Sequence, residues 1–117
     1  MQPGKPGKEE PVMVEEPTLY LGLTEMQLDI EFAKYLGRNG YFHRDPRTER
    51  LVRFLQSRAS VRGDHEFARK TGINEIVWRA FYCGHEPIER VQFGFLNRIA
   101  ESVGIPLTQW PLQGILF

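Results

Sequence analysis

Residues 64–84, DHEFARKTGINEIVWRAFYCG, decide how the rest of the chain is read. Phe67 and Ala68 sit in a short helical stretch that ends at Gly72, the residue type that closes a helix by turning left-handed without a Cβ clash. Beyond the turn at Thr71-Gly72-Ile73, Asn74 is a helix cap. Ile73, Val77, Trp78 and Phe81 then recur at the three-to-four-residue spacing of one buried face. Two short helices across such a turn make a helix-turn-helix. With that face turned inward, the second helix is expected to show Asn74, Glu75, Ile76, Arg79, Ala80, Tyr82 and Cys83 to solvent.

The chemistry of that outer face suits two partners. Asn pairs with adenine, Arg with guanine and Glu with cytosine, while Ile76 and Ala80 could touch a thymine methyl. Ile76, Ala80 and Tyr82 with Arg79 at their rim equally form a small apolar patch of the kind enriched at protein interfaces.

In order and spacing, Ala68, Gly72, Ile73, Trp78, Phe81 and Gly84 resemble the signature of the phage Cro and lambda-type repressor domains, the xenobiotic-response-element family. Residues 96–107, LNRIAESVGIPL, resemble the helix and Gly-apolar-x-Leu exit with which those domains close. The resemblance implies an all-α fold: a five-helix lambda-repressor-like helix-turn-helix domain with an added N-terminal helix and an apolar C-terminal tail. It further implies a sequence-specific regulator of transcription that binds double-stranded DNA as a homodimer, with the second motif helix in the major groove. The DNA-binding residues expected on this reading are Asn74, Glu75, Ile76, Arg79 and Ala80, joined by Arg62, Arg69, Lys70 and His85.

The chain departs from the family pattern at two telling places. Asp64 and Glu75 stand where the family commonly has a Gln and small hydroxyl or basic residues, and both repel phosphate. The alternative is therefore an adaptor that uses the same scaffold to contact a protein, transcription machinery or a toxin. Formal net charge is zero, whereas free-standing DNA-binding domains are often basic. The charge is unevenly placed, at −3 over residues 1–46 and +3 over 47–117.

Working outward, residues 1–17 combine Pro, Gly, Lys and Glu with almost nothing to bury, and read as a flexible tail. Residues 18–46 hold an added helix and a connector. Thr24-Glu25-Met26-Gln27 has the form of a capping box, and the helix is expected to run through Leu36 to Gly37, with Arg38-Asn39-Gly40 as its exit. Its apolar residues lie on more than one side, so it either sits between two packed surfaces or shows one face to another copy of the chain.

Residues 47–107 form the helix-turn-helix domain. Its opening helix, Arg47 to Arg58, has Leu51, Phe54 and Leu55 as core stripe, with Arg47, Arg50, Arg53 and Arg58 either solvated or reaching flanking phosphates. Its closing helix is expected near Glu89 to Val103, with Val91, Phe95, Leu96, Ile99 and Val103 directed inward and Gly104 as the stop.

The last segment, 108–117, carries Trp110, Leu112, Ile115, Leu116 and Phe117 and must pack on something. Docking on the second chain of a symmetric dimer is favoured over docking on the added helix of the same chain.

Other chemistries find little support. Cys83-Gly84-His85 is one unpaired fragment of the close ligand pairs that zinc sites use, so no metal or other cofactor is expected. No phosphate loop, nucleophile elbow or paired-carboxylate motif is present, which argues against an enzyme. A lone cysteine suits a reducing cytoplasm, and no apolar run is long enough to span a membrane.

Overall fold

A computed structural model describes residues 22–112, which contain five α-helices and no strand. The tail expected over 1–17 lies outside the described residues, as do Ile115, Leu116 and Phe117. The first helix, α1 (Glu25–Asn39), begins with the expected capping box: Gln27 N–H donates to Thr24 Oγ1 at 3.1 Å and Thr24 N–H to Gln27 Oε1 at 2.8 Å. It continues two residues past Gly37, into the expected Arg38-Asn39-Gly40 exit. Asn39 Nδ2 donates to Tyr35 O at 2.8 Å, and Gly40, at φ 69°, supplies the left-handed exit.

The second helix, α2 (Pro46–Arg58), starts from Asp45, whose carboxylate accepts from Arg47 N–H at 2.8 Å and from Ile88 N–H at 3.0 Å. One side chain thus caps α2 and ties it to the loop after the motif. Burial works against that charge, but the two backbone bonds and Arg47 outweigh it and hold the Asp45 pKa below its ordinary value.

The motif folds as two short helices, α3 (His65–Thr71) and α4 (Glu75–Tyr82). Gly72 takes φ 79°, and both its own N–H and that of Ile73 donate to Ala68 O, at 2.9 and 3.1 Å. Asn74 Oδ1 caps α4 by accepting from Ile76 N–H at 2.8 Å and Val77 N–H at 3.1 Å. Gly84, at φ 81°, is required for a second reason, since a Cβ there would lie 2.5 Å from Glu49 Cγ.

The expected closing helix is divided. Ile88–Arg90 forms a single 3-10 turn that buries Ile88, Val91 is extended, and α5 (Phe93–Val103) starts afresh after Gln92.

The main core gathers Leu51 and Leu55 of α2, Ile73, Trp78 and Phe81 of the motif, and Phe95, Leu96 and Ile99 of α5. The C-terminal segment packs there as well. Trp110 and Leu112 are buried, Trp110 Nε1–H donates to Ile105 O at 3.0 Å, and its ring lies 6.1 Å from that of Phe54. For these two residues the expected docking on a second chain is replaced by cover within their own chain, on the α2 and α5 side rather than on α1.

A second, smaller core consists of Leu28 and Tyr35 of α1, Tyr41, and Ile76 and Ala80 of α4, with Leu23, Phe32, Leu36 and Val77 around them. The motif helix α4 is therefore packed on two sides, by the main core beneath and by α1 above.

Candidate nucleic-acid interface

The face of α4 expected to meet solvent is the face that α1 covers. Ile76 is 1% exposed and Ala80 is fully buried, both against α1. Asn74 and Glu75 are buried too, and Asn74 Nδ2 has no hydrogen-bond partner among the described residues. Tyr82, half-buried, and Cys83, exposed, keep part of the expected access, and Arg79 keeps little, its side chain 12% exposed. The expectation of an open second motif helix is corrected for these positions, for a tertiary reason: an added helix occupies the space.

Arg79 makes the occlusion electrostatic as well as steric. Its guanidinium donates from Nη1 to Asp29 Oδ1 at 2.7 Å, from Nη2 to Glu25 Oε1 at 3.3 Å, and from Nε to Glu75 Oε2 at 3.3 Å. Two of these three carboxylates come from α1. Burial disfavours the charge on Arg79, yet the bond to Asp29 and the surrounding carboxylates more than offset it, so its pKa is raised. Burial raises the Glu75 pKa, with Arg79 and His65 pulling the other way. One guanidinium among three carboxylates leaves this spot acidic, the wrong sign for a phosphate backbone.

The other expected contact residues are not brought to that face. Arg62, on the loop before α3, pairs with Asp64 at 3.3 Å and Glu66 at 2.9 Å. Arg69 and Lys70 lie exposed in the last turn of α3. His85 is half-buried beyond Gly84, beside a shallow cleft whose Arg44 is held by Glu49 and whose Arg47 is held by Asp45 and Glu89. Among the described residues, Arg38, Arg50, Arg53, Arg58, Arg69, Lys70 and Arg90 are exposed cations with no ion pair, and none of these lies on α4.

Sequence reasoning passed over the residues of α1 that close the site: Leu28, Tyr35, Glu25 and Asp29. Their signal was the surplus of apolar positions on α1, read correctly as two-sided but without its target. Tyr35 does more than pack, since its hydroxyl donates to Glu86 Oε1 at 3.0 Å inside the seam.

Burial pushes the Glu86 pKa from its ordinary 4.5 up to about 7, with the Tyr35 hydrogen bond and Arg90 opposing. Burial, followed by the Glu86 charge, likewise raises the Tyr35 pKa. A carboxyl whose folded pKa is raised favours folding fully below 4.5, and that contribution is lost as pH rises through about 7. Stability is therefore expected to fall between pH 5 and pH 8, by up to roughly 3 kcal/mol from this group, and Glu75 acts in the same direction. Glu86→Gln should flatten most of that slope while leaving an acceptor for Tyr35. Urea unfolding at both pH values tests this; stability constant or rising across the window would refute it.

Among the described residues, no three His, Cys, Asp or Glu side chains are placed to share a metal ion. None of the described helices is long and apolar enough to cross a membrane. No protein-family model, curated protein or solved structure matches the chain.

Proposed function

We propose that this chain is a protein-contact module built on a lambda-repressor-like helix-turn-helix scaffold, and that it does not read DNA bases through α4. Base reading is opposed by the fate of the outer face of α4, where Ile76 and Ala80 lie in an apolar seam with α1 and Arg79 is held by Asp29, Glu25 and Glu75, while protein contact is favoured by the exposed apolar side chains of Met26, Ile30 and Phe42. For DNA to enter, α1 would have to leave. Returning Leu28 and Tyr35 alone to water would cost on the order of 3–6 kcal/mol, at roughly 1.5–3 kcal/mol for each large buried side chain. A good base contact offsets only about 1–3 kcal/mol. The seam therefore behaves as core. The exposed arginines of α2 and α3 remain available for salt-sensitive contact with any polyanion, without sequence preference.

Selection from a pool of random duplexes at low salt tests the reading. No sequence should be enriched, either by the natural chain or by Leu28→Ala, which loosens α1. Enrichment of a sequence whose binding is then lost in Arg79→Ala would overturn the proposal in favour of a DNA-binding regulator. Enrichment only with Leu28→Ala would overturn it in favour of α1 as a removable cover. In the proposed reading Arg79→Ala acts on stability instead, at about 1–3 kcal/mol, because it leaves buried Glu75 without its counter-charge.

A further inference from the structure

The side of α1 turned away from α4 carries a second apolar stripe that nothing in the seam accounts for. Met26, Ile30, Ala33 and Gly37 follow one another at spacings of four, three and four, opposite Leu28 and Tyr35. Met26 is 72% exposed and Ile30 49% exposed. Phe42, 64% exposed, prolongs the stripe beyond the helix end, where its ring lies 3.9 Å from the place a Cβ on Gly37 would occupy. Spacings of four, three and four are those of alternating d and a positions in a heptad seam. On that register Asp29 falls at the g flank and Lys34 at the e flank, five residues apart.

We propose that a second copy of this chain docks on this stripe, α1 against α1 and parallel, about a two-fold axis running along the helices. The charges select both the occupant and the orientation. In a parallel pair the g residue of one helix faces the e residue five positions on in the other, so Asp29 meets Lys34 of the other copy, twice by symmetry. In an antiparallel pair, like flank faces like flank and these charges do not meet. The stripe points away from the domain, so the two bodies lie on opposite sides of the axis. Asp29 has only Oδ1 engaged by Arg79, and the Lys34–Glu31 pair at 3.5 Å is an exposed one of small value, so both groups have capacity to spare. Two heptads make a small interface, which places the dimer among weak, concentration-dependent ones.

Sedimentation over a concentration series of the full chain is the test. A monomer–dimer equilibrium is expected, weakened at least about tenfold by Ile30→Glu and also by Lys34→Glu, which sets two acids face to face. Both side chains are exposed, and circular dichroism should show the fold unchanged. Orientation is read with Met26→Cys in a Cys83→Ser background: a parallel pair brings the two new thiols together and should oxidise to a disulfide-linked dimer. A chain monomeric up to roughly 1 mM, or a dimer that Ile30→Glu leaves intact, overturns the proposal. A dimer that Ile30→Glu breaks but Met26→Cys does not link overturns the parallel arrangement.

Discussion

Replacing Ile76 by lysine is expected to remove most of the stability of the domain, about 4 kcal/mol or more. Small domains hold roughly 5–15 kcal/mol in all, so the variant should be largely unfolded or nearly so at moderate temperature. On an open reading helix this position would tolerate a lysine, and near phosphate would even welcome one. Here the side chain is 1% exposed among Leu28, Tyr35 and Tyr41, so a lysine would carry its ammonium into an apolar seam where the Glu86 carboxyl is already engaged by Tyr35. Burying an unpaired charge in such a place is among the few changes that cost more than 4 kcal/mol. Ile30→Lys, on the outer side of the same helix α1, should change monomer stability by no more than about 0.5 kcal/mol. Urea unfolding of the two variants at low protein concentration compares them. A loss below about 1 kcal/mol for Ile76→Lys would mean that α1 does not cover α4 in solution.

The second large effect is expected at Trp78. Its side chain is fully buried, stacks on Phe67 at 4.4 Å between ring centres, and lies 6.0 Å from Phe81 and 5.5 Å from Tyr82. Its Nε1–H also donates to Arg62 O at 2.8 Å, which fastens the loop before α3 to the middle of α4. Trp78→Ala should cost about 3–5 kcal/mol through the cavity alone, and the orphaned Arg62 carbonyl adds to that unless water reaches it. Trp78→Phe retains a stacked ring but not the donor, and should fall between the two, at about 1–3 kcal/mol. Trp110 remains in both variants as a fluorescent reporter of the main core, so unfolding midpoints can be compared with one probe. Equal losses for Ala and Phe would show that the Arg62 bond, not the packing, holds the motif together.

These two positions also mark where reading the residues succeeded and where it stopped. Trp78 belongs to the stripe of Ile73, Val77, Trp78 and Phe81, and its inward direction follows from spacing within eight residues of α4 and its cap. Ile76 and Ala80, four apart, mark a second apolar face of the same helix. An apolar pair on that side fits a second packed neighbour and an exposed contact patch alike, so periodicity alone left its partner open. The break between Ile88–Arg90 and α5 was likewise hidden, because a run of apolar residues at mixed spacing fits one long helix as well as a turn followed by a short one.

What the residues determined by themselves is local: the Thr24 and Asn74 caps, the left-handed glycines at 72, 84 and 104, and the inner faces of α2, α4 and α5. Each depends on groups within a few positions of one another, where backbone geometry and side-chain reach leave few alternatives. The tertiary structure alone decided that α1 lies on α4, that Arg79 answers to Asp29 and Glu25 about fifty residues earlier, and that Trp110 closes its own core. Those contacts join surfaces that each have several acceptable partners. The choice among them rests on which arrangement buries most apolar area while leaving no charge unpaired, a property of the whole packed chain rather than of any stretch of it.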